Sequence, residues 1–320
     1  MRRIRWFAVV VAVLAIALFA VACGEDEQPS DGSTGGGSTL SGDIRIDGSS
    51  TVGPLTEAAA EMFQTENPDV RVTVGISGTG GGFEKFAAGE TDISDASRPI
   101  KDEEAQALAD AGIEYGYITV AMDGLAVVVN PENDWADSLT VKQLNKIWDA
   151  DSKITNWNQV DPSFPDVPLE LFGPGTDSGT FDYFTDVING EEGVSRTDYL
   201  ATEDDNVAVQ GVAGSKGGMA YFGLSYYEEN TDTLKVVAID GGSGPVTPSR
   251  ETVQSGEYQP LSRPLFIYVA TASLERPEVA AFVQFYLDNL TQIAEQALFV
   301  PLTEEQTAEA QAALDDLLGP

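Results

Sequence analysis

The sequence predicts an α/β fold in two lobes, the chain crossing between them near residues 120–128 and returning near 261–268. Three observations predict it. Short strands and helices alternate from Asp43 onward. A long apolar segment, Tyr117 to Asn130, interrupts the alternation, which then restarts. Late in the chain, Arg263-Pro264-Leu265-Phe266-Ile267-Tyr268-Val269 reads as a strong strand. Such alternation implies a sheet with helices packed on its faces. Residues 43–122 with 264–320 form the first lobe in this reading, and residues 123–263 the second. One large α/β domain is the alternative.

Each element follows from local pattern. Ile44 and Ile46 alternate with polar residues as a short strand, and Pro54 to Phe63 has helical spacing with an early proline. Asn67-Pro68-Asp69 is a turn, after which Val70, Val72 and Val74 alternate as a second strand. The glycine-rich stretch Ser77 to Gly82 reads as a loop before a short helix carrying Phe83 and Phe86, and Asp92-Ile93 begins the next strand. Beyond the apolar segment, helices are predicted over 141–148 and 181–187, with strands over 169–172, 218–222 and 234–239. Residues 245–260, rich in Gly, Pro and Ser, read as a surface loop. Two helices, over 277–297 and 303–318, close the chain.

The N-terminus addresses the compartment. Arg2, Arg3 and Arg5 precede an unbroken apolar stretch from Trp6 to Ala22, with small residues Ala20 and Ala22 just before Cys23. That order is an export signal, and the stretch is shorter than the ~20 apolar residues of a membrane span. Residues 1–22 are therefore expected to be a lipoprotein-type signal peptide and Cys23 the lipidated residue. This is also the only cysteine, so the exported protein folds without a disulfide. Residues 23–42 are acidic and then rich in Gly, Ser and Thr, the composition of a flexible tether from lipid to folded part. A lipid-anchored protein on the periplasmic or outer face of the cell membrane is the expectation.

Charge and composition exclude whole classes of function. The 320 residues hold 17 Lys plus Arg against 52 Asp plus Glu, a net charge of −35. Such a surface repels nucleic-acid backbones, and no nucleic-acid partner is expected. No histidine occurs, which removes Ser-His-Asp and Cys-His catalysis and most zinc sites. Neither a cofactor nor a metal is expected.

Three glycine- and hydroxyl-rich segments lie between a strand and a helix: Gly48 to Gly53, Ser77 to Gly82, and Gly173 to Thr180. A helix start exposes unpaired N–H groups and the positive end of the peptide dipoles, so it attracts an anion. Glycine allows close approach, and Ser or Thr adds a hydroxyl donor. One such segment is weak, because Ser and Thr cap ordinary helices. Three, spread over both lobes, point to a shared anion site. Arg98, one of few basic residues, has a planar guanidinium suited to gripping two oxygens of a tetrahedral anion; pairing with a neighbouring Asp is its other reading.

At these segments the sequence resembles the phosphate-binding proteins of ABC importers, the PstS type within the class II periplasmic-binding-protein-like fold. The resemblance is strongest at Asp47-Gly48-Ser49-Ser50-Thr51-Val52, Ser77 to Phe83, Ala96-Ser97-Arg98-Pro99-Ile100 and Thr176 to Phe181, and it covers nearly the whole chain from Asp43. It implies two lobes with a two-strand hinge that shut on one phosphate, and a monomer that hands it to permease and ATPase subunits. The implied ligand residues are Ser50, Thr51, Val52, Gly78, Thr79, Ser97, Arg98, Ser178, Gly179 and Thr180. Two departures matter. The best-studied branch has an Asp that accepts a phosphate proton where this chain has Ser97, and an Arg where it has Pro174. Asp177 and Asp95 are the candidates for the missing acceptor, and Arg98 for the missing charge.

Other readings remain. The cleft could take sulfate or another tetrahedral oxyanion, or serve a stand-alone phosphate sensor. A phosphoester hydrolase using Ser178 or Thr51 lacks a base or metal cluster near the nucleophile, and no enzyme activity is expected. A dinucleotide site at Gly78 to Gly82 fails because Phe83 stands at the third fingerprint glycine.

Overall fold

The computed structural model describes residues 40–176 and 178–319. The signal segment 1–22, Cys23, most of the tether and Asp177 lie outside the described residues. The chain begins β1 (Gly42–Gly48), α1 (Gly53–Glu66), β2 (Val70–Ile76), α2 (Gly78–Ala87), β3 (Ile93–Ala96), α3 (Asp102–Ala111) and the long strand β4 (Tyr115–Val129). Then come β5 (Ser138–Thr140), α4 (Val141–Trp148), α5 (Trp157–Val160), β6 (Glu170–Gly173), α6 (Gly179–Phe184), β7 (Leu200–Ala201), α7 (Asp205–Gly214), β8 (Gly218–Gly223) and α8 (Leu224–Glu229). The last stretch holds β9 (Lys235–Val236), β10 (Ala238–Asp240), β11 (Pro245–Val246), α9 (Arg250–Gln254), β12 (Ser262–Ala270), α10 (Pro277–Asp288), α11 (Leu290–Gln296) and α12 (Glu304–Leu318).

Among the described residues nine strands share one sheet, in the order β2-β1-β3-β12-β4-β8-β6-β7 with β9 also on β4. Strand β1 runs parallel to β2 and β3, which needs helical crossovers, and α1 and α2 supply them. Strand β12 runs antiparallel to both β3 and β4. Part-way along, β4 changes partner: residues 115–124 pair with β12, and residues 125–129 pair with β8. These two long strands tie the halves of the sheet together. Covered on both faces, β4 is buried without a break from Val120 to Val129. That is why its sequence is a near-continuous apolar run, interrupted at Asp123, and not an alternating one.

Each half has its own aromatic packing. In the second, Phe184 stacks on Tyr221 at 3.7 Å between centroids and Trp148 meets Tyr221 edge-on at 4.9 Å. In the first, Phe63 lies edge-on against Phe282 and Phe285 at 5.4 and 5.3 Å. Such pairs add about 0.5–1.5 kcal/mol each beyond their buried area. None of the described helices is long and apolar enough to cross a membrane.

Three local expectations are corrected. The glycine run 78–82 is not a loop; it forms the first turns of α2. A Cβ at Gly82 would sit 2.6 Å from the Gly48 Cα, so glycine here lets a helix press onto β1. Residues 245–260 are more than a surface loop: they include α9, and Val253 and Tyr258 are fully buried. The Tyr258 hydroxyl donates to the Leu125 carbonyl at 2.9 Å, pinning this segment to β4 where β4 changes partner. The helix expected over 277–297 breaks at Asn289 into α10 and α11.

Candidate anion-binding cleft

A cavity of about 320 Å³ opens where the starts of α1, α2 and α6 converge over the sheet, and all three hydroxyl-rich segments line it. From the first half come Ser49, Ser50, Thr51, Ser77, Gly78, Thr79, Gly80, Ser97, Arg98 and Lys101. The second half contributes Gly179, Asp182, Tyr183, Asp186 and Glu192, and Arg263 of β12 reaches in from the floor.

In the turn entering α1, the Ser49 hydroxyl accepts from the Thr51 amide at 3.2 Å, and the Ser49 amide donates to the Asp95 carbonyl at 3.0 Å. Val52 stands at the position that would cap α1, and it brings no capping side chain. Its own side chain is wholly buried beneath the turn. Ser77 holds the same position before α2. Its hydroxyl bonds Oδ1 of Asp47 in place of the α2 amides, while Lys85 holds the other oxygen at 2.5 Å. The first amides of α2 therefore have no side-chain cap, whereas those of α1 are already engaged: Gly53 and Leu55 donate to the Ser49 and Val52 carbonyls at 2.9 Å, and Pro54 has no N–H. Ordinary capping accounts for Ser178 alone, which accepts from the Thr180 amide at 3.2 Å. Thr79 Oγ1 accepts from the Ser97 amide at 3.2 Å and lies 3.1 Å from the Ser97 hydroxyl, so these two residues act as one polar pair.

The two halves touch across the cavity. A Cβ on Gly179 would fall 2.3 Å from Thr51 Oγ1 and 3.1 Å from Ser50 Oγ, so only glycine fits there without displacement. Gly179 is thereby brought against Ser50 and Thr51, while the expected Val52, Ser178 and Thr180 are not among the residues that line the cavity.

Two arginines serve the cavity differently. Both Nη atoms of Arg98 are engaged by Glu104 of α3, at 2.8 and 2.6 Å. That bidentate bond, more than anything else near it, raises the Arg98 pKa further above its ordinary value. Arg98 borders the cavity while bound to its own half. Arg263, which the sequence reading assigned only to a strand, occupies the floor. Its Nε donates to Asp123 of β4 at 3.1 Å, Nη1 to the Ser97 carbonyl at 3.3 Å, and Nη2 to Thr51 Oγ1 at 3.1 Å and the Gly179 carbonyl at 3.4 Å. Its guanidinium lies 3.8 Å from the centre of the Tyr183 ring, a cation–π contact. Burial drives the Asp123 carboxyl upward and the Arg263 charge pulls it back. Because Thr51 accepts from Arg263, its own proton is left to point elsewhere, including into the cavity.

Asp95 does not face the cavity. It is fully buried under α1 and α10, and neither carboxyl oxygen has a hydrogen bond. Burial raises its pKa to about 8; the nearby Thr56 hydroxyl pulls the other way without forming a bond of acceptable geometry, and Asp47 and Glu57 add to the rise. Asp95 is thus a neutral core group at pH 7. Asp182 in the first turn of α6 is the least exposed of the three carboxylates lining the cavity; Asp186 and Glu192 are exposed. Burial first, then the Glu192 charge, raise its pKa, while Arg263 lowers it. Arg263, Lys101 and Asp182 were missed in the sequence because each sits in an element with an ordinary local explanation. The one available signal for Arg263 was a cation at the head of a buried crossing strand.

Known proteins bear on this geometry. Residues 33–289 match the family model of the PBP superfamily domain. The protein SphX of Synechocystis sp. is 50% identical over 271 residues, covering 84% of this chain and 81% of the relative. The phosphate-binding protein PstS of Staphylococcus saprophyticus is 42% identical, covering 90% of this chain and 91% of its own. A crystal structure of a possible phosphate binding protein from Planctomyces limnophilus superimposes with a TM-score of 0.84 at 49% identity, covering 88% of this chain and all (100%) of that one.

Proposed function

The chain belongs to the PBP superfamily, among relatives that include the phosphate-binding proteins PstS, and from that premise we propose that its cleft captures inorganic phosphate for an ABC importer. The observation that carries this reading is the convergence of three polar helix starts, drawn from both halves of the sheet, on one cavity floored by Arg263. A small tetrahedral anion suits it: uncapped amides at the start of α2 supply short donors, and the hydroxyls of Ser50, Thr51, Thr79, Ser97, Ser178 and Thr180 supply more. Val52, Gly78 and Gly179 contribute backbone N–H groups. Arg263 takes the charge-balancing role that the arginine missing at Pro174 leaves open, and Arg98 adds a second cation at the rim.

In this reading the lobes are residues 43–122 with 264–320 and residues 123–263, closing about β4 and β12. The negative surface of the whole molecule does not defeat binding. At physiological salt the Debye length is about 8 Å, so distant carboxylates are screened while contacts inside the cleft are not. The monomeric, closed, loaded form is handed to permease and ATPase subunits. Cleavage before Cys23 and its lipidation place the protein on the outer side of the membrane. It performs binding and no chemistry. Calorimetric titration of the chain lacking residues 1–22 with phosphate, then with sulfate, tests this. Saturable phosphate binding at one site is expected, and a sulfate response without a phosphate response overturns the ligand.

A further inference from the structure

Arg263 is held from more sides than its hydrogen bonds show. A guanidinium has five N–H groups, fixed in one plane. Four of them have partners among the described residues: Nε on Asp123, one Nη1 hydrogen on the Ser97 carbonyl, and the two Nη2 hydrogens on Thr51 Oγ1 and the Gly179 carbonyl. One N–H, on Nη1, is left for a ligand. Whether that single donor meets an anion depends on the guanidinium staying where it is. We propose that Tyr183 is a positioning residue for the bound anion, its ring fixing the Arg263 guanidinium while its hydroxyl fixes the segment that carries it. The assignment rests on the reading of the cleft as an oxyanion site and names what orients its floor cation.

Three contacts support it. The Arg263 guanidinium lies over the Tyr183 ring, 3.8 Å from its centre, so the ring closes one side of the cation to water and restricts its rotation. The Tyr183 hydroxyl donates to the Pro260 carbonyl at 2.6 Å. Pro260 stands just ahead of Arg263 in the chain, so one side chain holds both the cation and the entry to β12. Tyr183 also follows Gly179 by one turn of α6 and shares its helix face, and the Gly179 carbonyl accepts from Arg263 Nη2. One face of α6 thus meets Arg263 at two points. The next residue, Phe184, packs as core by stacking on Tyr221; Tyr183, 6% exposed, lies against a charge. Without the ring, the guanidinium can turn away and take its last N–H and the Thr51 hydroxyl out of register with the ligand.

The test is a double-mutant cycle read by titration at pH 7 with phosphate and with sulfate, with thermal melting to verify folding. Tyr183→Leu removes the ring and is expected to weaken phosphate binding about tenfold. Tyr183→Phe keeps the ring, loses the Pro260 bond and should stay within about threefold of wild type. In an Arg263→Ala background no guanidinium remains to be placed, and Tyr183→Leu should cost less than about twofold more. A residue that serves packing alone would cost the same in both backgrounds. Equal losses there, or a folded Phe variant as weak as Leu, overturn the assignment while leaving phosphate capture standing. Arg263→Lys, which keeps the charge and removes the planar group, replaces Arg263→Ala if the double variant does not fold, with the same expected result. A wild type that takes only sulfate overturns the ligand, and the sulfate cycle then decides the assignment. A wild type that binds neither anion overturns both.

Discussion

Arg98 and Arg263 carry the same side chain, face the same cavity and do different work. Arg98 follows β3, is 30% exposed, and gives both Nη atoms to Glu104 a few residues along in its own half. Arg263 lies on β12, is 15% exposed, and contacts β4, the Thr51 turn, the Ser97 carbonyl and the Gly179 carbonyl of the opposite half. Sequence context favoured the first, because a lone cation beside a serine invites an anion. Topology favours the second, because a strand that joins the halves places its side chain within reach of both. A guanidinium counts for the ligand by what it has left to give and by what it holds in place.

That contrast can be broken by substitution. Removing Arg263 (Arg263→Ala) is expected to weaken phosphate binding by about 100-fold or more, the loss of a charged donor together with its placement of Thr51. The same change strands Asp123 in the interior, which should lower stability by about 3–5 kcal/mol, read by denaturant unfolding. Equal effects of Arg263→Ala and Arg98→Ala on the titration would erase the distinction. Next in size is Gly179→Ala. Its added methyl would meet Thr51 Oγ1 at 2.3 Å, so the halves must part to accept it. Phosphate affinity should fall about tenfold or more, with the melting temperature little changed, because the contact is one between the halves.

Arg98→Ala should cost less than tenfold in affinity, since its Nη atoms are already engaged by Glu104. Its salt bridge is partly exposed and contributes about 0–1 kcal/mol. A 100-fold loss would return Arg98 to the role sequence reasoning gave it.

The last test compares the two buried carboxylates. Asp123 has Arg263 beside it; Asp95 has no partner and a pKa of about 8. In the fold Asp95 keeps its proton up to about pH 8, whereas in the unfolded chain it loses it near the ordinary value of 3.8. The folded state binds more protons between those limits, so this group's contribution to stability declines as pH rises from about 4 to 8 and is level above. Melting curves of wild type against Asp95→Asn should diverge over that window, by at most about 1.4 kcal/mol per pH unit. Parallel pH profiles would show that Asp95 is charged in the fold.

Much of this architecture is legible in the residues. The long, largely apolar run of β4 announced a buried strand, and 263–269 read as a second strong strand. The three hydroxyl-rich segments were found by composition, and the cavity gathers all three. What escaped was context. The run 78–82 read as a loop because glycine disfavours helices, but packing of α2 against Gly48 outweighs that propensity. Tyr258 read as loop because its neighbours are Gly, Pro and Ser, whereas its burial depends on reaching Leu125, far away in sequence.

By itself, then, the sequence determined the α/β alternation, the long apolar strand and its late companion, the lack of histidine, and the three hydroxyl-rich segments that border one cavity. These are properties of composition and short-range spacing. Only the tertiary structure decided which cation lies under the cavity, which serine caps a helix and which leaves its amides bare, and that Asp95 faces the core while Asp182 faces the cleft. Those outcomes depend on which side chains meet across strands more than a hundred residues apart, as Arg263 meets Asp123 and Thr51. No local pattern records such a meeting, because the partners become neighbours only when the sheet forms.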